Sequence, residues 1–176
     1  MLFTERSLWT MVHGVGLGGA TLLGLAAALF FLRATQPLEL GVAMQRQARY
    51  FNWLAMFVAV AAWLTVIVGT YVSFPEYRAS PPEGAIDLSR YPRSLIQSNP
   101  GTAWLHSFAM EIKEHVPWIA AMLVTAVAFT TYRYGMQLLG DTRLRRVTMS
   151  VLAISFILVA GAALLGTFIN KVAPLE

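Results

Sequence analysis

Four long stretches of the chain carry no charged residue, and they set the expected architecture. These stretches are residues 7–32, 50–75, 115–132 and 147–170. An apolar helix of about 18 residues or more, rising 1.5 Å per residue, is long enough to cross the roughly 30 Å hydrocarbon core of a bilayer. The pattern predicts an all-α, polytopic membrane protein whose four transmembrane helices form an up-down bundle.

The spans are predicted at about residues 8–32, 51–72, 115–134 and 147–169, within a single domain covering residues 1–176. Residues 74–99 are rich in proline, which disfavours a regular helix, so this segment is expected to be a long outer loop. Residues 98–100 read Ser-Asn-Pro, a helix-start signal. We therefore expect an extended third helix, with residues 100–114 standing above the membrane before the span begins.

Composition supports a membrane protein and removes several classes of function. Hydrophobic residues make up 57% of the chain and charged residues 12%, about half the charge of a soluble domain. The chain has no cysteine, which excludes disulfides, iron–sulfur clusters and covalent haem attachment. The net charge of +4 comes from arginines at span ends and does not indicate nucleic acid. The first apolar stretch is too long for a signal peptide and is expected to remain as a span.

Arginine is concentrated in the two short connections, after the first and third predicted spans: Arg33, Arg46, Arg49, Arg133, Arg143, Arg145 and Arg146. Positively charged short loops tend to stay in the cytoplasm. Both termini and the long loop are then expected outside, which for a bacterial inner membrane is the periplasm.

Histidine within a bilayer is costly and marks a candidate functional site. His13 lies about five residues into the first span, and His115 lies where the third span enters the membrane. The two imidazoles are therefore expected at similar depths on different helices, as bis-histidine ligation of a b-type haem requires. His106 is expected to face water or a partner.

Other residues near these histidines have both functional and structural interpretations. Gly16 shares a predicted helix face with His13 and would let a flat cofactor approach, although such glycines equally serve helix packing. Glu111 precedes His115 by one turn and could orient its imidazole or relay protons at a quinol site. Arg93, in the outer loop, could neutralise a haem propionate or remain a solvated charge.

The four spans and the pair His13 and His115 resemble small four-helix b-type cytochrome subunits that anchor respiratory complexes and exchange electrons with quinones. The resemblance implies a membrane subunit of a respiratory or photosynthetic electron-transfer complex, holding one haem b or a quinone near the outer face. Such a subunit would be part of an oxidoreductase, inactive alone, and bound to other membrane or periplasmic subunits. The alternatives are a cofactor-free structural or anchor subunit, and a small transporter or enzyme acting on a lipid-soluble substrate.

Overall fold

All the regular secondary structure in the described residues is helical, as the charge-free stretches predict. The structure, a computed structural model, describes residues 4–35 and 41–174. These residues contain no strand, and four of their helices are long and apolar enough to cross a membrane. They are α1 (Glu5–Ala34), α2 (Val42–Arg78), α4 (Leu105–Gly140) and α5 (Thr142–Val172), with a short helix α3 (Pro92–Gln97) between α2 and α4. The fold class, an all-α multi-pass membrane protein, is confirmed at this level.

The helix ends follow local capping chemistry. Thr4 caps α1, its hydroxyl accepting from the Ser7 amide, and Asp141 caps α5, its carboxylate accepting from the amides of Arg143 and Leu144. Side-chain acceptors of this kind satisfy amides that have no partner within the helix. Each long helix begins before its predicted span and ends after it, because helical backbone continues into the polar flanks where the charge-free stretch stops.

Three of the long helices include a π-helical segment, which the sequence analysis did not predict. The segments are Val12–Gly18 in α1, Gly69–Ser73 in α2 and Leu105–Met110 in α4. A π turn closes its hydrogen bonds over five residues and occurs often at functional sites. All three lie toward the same end of the molecule, where α1 and α4 begin and α2 ends.

Each long helix packs against two others: α1 contacts α2 and α5, and α4 contacts α2 and α5. The main core lies between these helices and includes Leu25, Phe51, Val58, Val124 and Leu152, all almost fully buried. Large apolar side chains on the outward faces, by contrast, are exposed; examples are Leu23, Phe30, Trp53, Phe129 and Ile157. Apolar surface of this extent on every long helix suits contact with lipid.

The segment predicted as an outer loop is partly helical. Residues 74–78 complete α2 and residues 92–97 form α3, so the non-helical stretch between them is 79–91. Pro92 occupies the first turn of α3, where proline costs no hydrogen bond, and Pro75 follows the π-helical segment of α2. Ile96 is fully buried in a second core cluster with Tyr77, Leu105 and Ile169. Part of the segment therefore packs against the ends of the long helices.

The third long helix also differs from its predicted bounds. It begins at Leu105, after turns over residues 98–104, and it continues to Gly140. The backbone is non-helical at Gly135 (φ 10°, ψ −90°), close to where the sequence placed the end of the helix. The expectation that residues 100–114 rise above the bilayer stays a prediction.

Close packing of α1 on α2 depends on Gly24. A Cβ at this position would lie 2.6 Å from Val58 Cγ2, whereas a Cβ at Gly161 in α5 would meet nothing within 4 Å. We predict that Gly24→Ala lowers the free energy of unfolding by about 1–3 kcal/mol, the usual cost of overpacking. Gly161→Ala should be neutral or slightly stabilising, because alanine is the better helix former. Thermal unfolding in detergent measures both, and equal midpoints for the two variants would contradict the packing described.

Candidate functional site

A cavity of about 630 Å³ lies at the end of the molecule that carries the π-helical segments. All four long helices line it: α1 and α4 near their beginnings, α2 and α5 near their ends. Its wall is mostly apolar, with polar groups that include His13, Thr65, Ser73, Lys113, His115 and Asn170. A largely apolar cavity of this size with a few convergent polar groups is typical of a ligand site.

The ring of His13 is fixed between α1 and α2. Its Nδ1 lies 2.9 Å from the carbonyl oxygen of Thr65. A carbonyl can only accept, so Nδ1 carries the proton and donates, and in the neutral ring Nε2 is left with its lone pair. The Thr65 hydroxyl donates to the Ala61 carbonyl and lies 3.1 Å from the Thr21 hydroxyl. Thr65 therefore joins α2 to α1 through two groups: its carbonyl accepts from His13, and its hydroxyl lies beside that of Thr21.

Gly69 makes room for the His13 ring. A Cβ on Gly69 would lie 2.5 Å from Cε1 of His13 and 3.1 and 3.2 Å from its two ring nitrogens. Gly69 also begins the π-helical segment of α2, and its amide donates to the Thr65 carbonyl. The imidazole of His13 can therefore occupy its place only because residue 69 has no side chain.

The predicted site residue Gly16 does not line the cavity. It is exposed, while Gly14 and Gly18 on the same helix do line the cavity. The reason is the π-helical segment, in which residues five apart are aligned, so Gly18 rather than Gly16 follows His13 by one turn. The prediction assumed regular α-helical spacing.

His115 also lines the cavity, as predicted, but it is far more open to its surroundings than His13. Its side chain is 72% exposed and that of Glu111 is 61% exposed. The Nδ1 atom of His115 donates to the backbone carbonyl of Glu111 at 2.8 Å, and the Glu111 carboxylate lies 3.8 Å away. The backbone, rather than the predicted carboxylate, is the shorter contact that orients this imidazole. Here too Nε2 of the neutral ring is left without the proton.

Lys113 is a cavity residue that the sequence analysis did not select. It lines the cavity beside Pro117 and Trp118, and its ammonium lies against Gly166 of α5, 2.7 Å from where a Cβ would be. A helical pattern places residues 113, 117, 120 and 124 on one face, and Ala120 and Val124 are fully buried. That periodicity is the signal that would have placed Lys113 on the inward face.

Arg93 lies beside the cavity rather than in its wall. It is half-buried in α3, and its Nε finds no hydrogen-bond partner among the described residues. The adjacent Pro92 and Tyr77 do line the cavity. Tyr77 is hydrogen-bonded through its hydroxyl to His106 Nδ1 at 3.0 Å, and His106 is half-buried beside this cluster. The expectation that His106 faces water or a partner stays a prediction.

The chain matches no protein-family model, no curated protein and no solved structure at a significant level. The fold and the cavity define its class: a multi-pass, α-helical membrane protein with a partly open cavity lined by all four of its candidate spans.

We predict that Gly69→Ala lowers the free energy of unfolding by about 1–3 kcal/mol, because the new methyl group would push His13 away from the Thr65 carbonyl. The same substitution in a His13→Ala background should cost only a few tenths of a kcal/mol, since the clash is then absent. Unfolding midpoints of the four proteins in detergent give this coupling. Gly19→Ala, where a Cβ meets nothing within 4 Å, is the matched control. Equal costs in both backgrounds would contradict the contact.

Proposed function

We propose that this protein is a membrane subunit of an electron-transfer complex, respiratory or photosynthetic, whose four helices form an up-down bundle around one haem b. The observation that carries the proposal is that two histidines on different helices are held in the same way. His13 and His115 line one cavity, and each donates Nδ1 to a backbone carbonyl, which leaves Nε2 for a metal.

The residues present are suited to such a group. The cavity volume of about 630 Å³ is in the range of cofactor pockets, and the wall contains Gly14 and Gly18, which permit close approach to α1. Ser73 Oγ is buried in this wall with no hydrogen-bond partner in the described part of the chain. A buried polar atom without a partner is uncommon and favours a bound molecule that completes it.

A bound haem b would supply one-electron transfer, and the chain would supply its ligands and surroundings. The Thr65 and Glu111 carbonyls hold the Nδ1 protons of the two imidazoles, and Gly69 allows the His13 ring to lie against α2. His13, which is enclosed between two helices, is proposed as the fixed ligand. His115, largely exposed, is proposed as the more adaptable one.

The proposed location is a bacterial inner membrane, with the cavity near the periplasmic face and both termini periplasmic. The arginines of the two short connections support this orientation. Electrons would then pass to or from a membrane or periplasmic partner at the outer face, and the chain would not be an active oxidoreductase alone.

We predict that the purified protein shows a Soret band with about one haem per chain, and that reduction sharpens its visible bands as for a six-coordinate b-type haem. His13→Ala should abolish the band, because it removes the enclosed ligand. His115→Ala should retain pigment with a changed spin state, because one ligand remains. Absorption spectra with and without dithionite provide the measurement.

His106→Ala is the control for this series, since His106 lies outside the cavity wall and bonds to Tyr77. Its spectrum should match that of the wild type. A colourless wild-type protein, supplied with haem during expression, would overturn the haem proposal. Loss of pigment in His106→Ala together with retention in His13→Ala would overturn the ligand assignment.

A quinone is the second candidate for the cavity, and Lys113 favours it. Lys113 and His13 line the same cavity; the ammonium can donate to a carbonyl oxygen of a quinone ring, and Nε2 of His13 can accept the proton of a quinol hydroxyl. We predict that, if a quinone is the occupant, solvent extraction of the colourless protein yields about one quinone per chain. His13→Ala and Lys113→Gln should each lower that yield several-fold, because each removes one hydrogen-bonding group from the site. Liquid chromatography of the extract measures it, and an equal yield from all three proteins would exclude this site.

The cofactor-free alternative, a structural or anchor subunit, is favoured by a different feature. Trp104, just before α4, and Phe108, in its first turns, are exposed, while Leu105 and Met110 from the same stretch are buried against the rest of the chain. Exposed aromatic residues of this kind suit contact with a partner subunit. Under this alternative the protein co-purifies with partners and contains neither haem nor quinone.

A further inference from the structure

The ammonium group of Lys113 has no partner in the described part of the chain. Neither a carboxylate oxygen within 4.0 Å nor a hydrogen-bond acceptor is found for it there. Glu114, the next residue, also lines the cavity without forming an ion pair with it. Lys113 lies next to the predicted start of the third span at residue 115, and a cation that faces a mostly apolar cavity normally pairs with an anion or a polar group.

The residues around the Lys113 ammonium leave room for an acidic group and offer it further hydrogen bonds. Gly166 has no side chain, so the ammonium lies against the α5 backbone. Thr167 and Asn170, within the next turn of α5, line the same cavity and carry further hydrogen-bonding groups. Ser73 Oγ, in the same cavity wall, is buried without a partner among the described residues. The wall also contains Arg6, near the start of α1, and apolar residues that include Trp118, Val159 and Ala162.

A cation with polar neighbours at one place in an apolar cavity selects an amphiphilic anion. We propose that Lys113 binds the carboxylate of a hydrophobic molecule whose apolar body fills the cavity. A fatty acid and a porphyrin with propionate side chains share this chemistry. The proposal rests on the cavity and on Lys113, and it holds whether or not the protein transfers electrons.

The test measures the preference for an acid over its uncharged ester. The full-length chain is expressed without a haem supply, so that no porphyrin competes, and purified in detergent. One arm titrates the fluorescent fatty acid cis-parinaric acid and its methyl ester. The other arm titrates haem and haem dimethyl ester, followed by the Soret band. An ester keeps the apolar body and removes the charge, so the ratio of the two dissociation constants isolates the ionic contact.

In at least one arm, the wild type should bind the acid about tenfold or more tightly than the ester, as expected for a hydrogen bond to a charged group. The arm with this preference identifies the source of the carboxylate. Lys113→Gln should bring the ratio near one, and Gly166→Ala should reduce it, because the new methyl group displaces the ammonium.

Lys171→Gln is a matched control, because Lys171 is the other lysine of the chain, is exposed and is not part of the cavity wall. It should keep the wild-type ratio. If Lys113→Gln does not fold, Lys113→Arg, which keeps the charge, and Gly166→Ala provide the comparison. A ratio near one in both arms of the wild type, or a ratio unchanged in Lys113→Gln and Gly166→Ala, overturns the proposal. Its failure would leave the Soret-band test of the proposed function unaffected.

Discussion

Polar groups in a bilayer must find their partners inside the protein, and this constraint governs the structure described here. The backbone meets it by forming four long helices. Several side chains in them meet it through carbonyls of the same helix, as the hydroxyls of Thr21, Thr125 and Ser155 do. His13 meets it differently, because its partner, the Thr65 carbonyl, belongs to another helix. That contact joins α1 to α2 at the wall of the cavity.

The cavity lies at the end of the molecule that carries the π-helical segments. In α1 the segment aligns Gly18 with His13, and in α2 it begins at Gly69, against which the imidazole rests. At the other end, Arg145 of α5 donates to the Thr35 carbonyl, just after α1, at 2.8 Å.

The sequence predicted the helices well and the inward-facing residues less well. Charge-free stretches determine which segments can cross a bilayer, so the four helices followed from composition and length. The face that each residue occupies depends on helical spacing, which the π-helical segment changed for Gly16. Glu111 and His115 share one face of α4 with Met122 and Phe129. Both of these residues are exposed, so this face of the helix points outward. Lys113 was missed because its charge suggested the surface, although its spacing from Ala120 and Val124 indicated the interior.

Lys113 and Ser73 place the strongest constraint on what the cavity does. A cavity needed only for packing would gain stability from apolar side chains, because a buried polar group without a partner costs free energy. Here the Ser73 hydroxyl is buried in the wall without a partner among the described residues, and the half-buried Lys113 has none for its ammonium, which lies against Gly166. Sequences give up stability in this way mainly at functional sites. A haem, a quinone and an amphiphilic acid differ in chemistry, but each would supply acceptors for these groups, whereas a purely structural subunit leaves them unexplained.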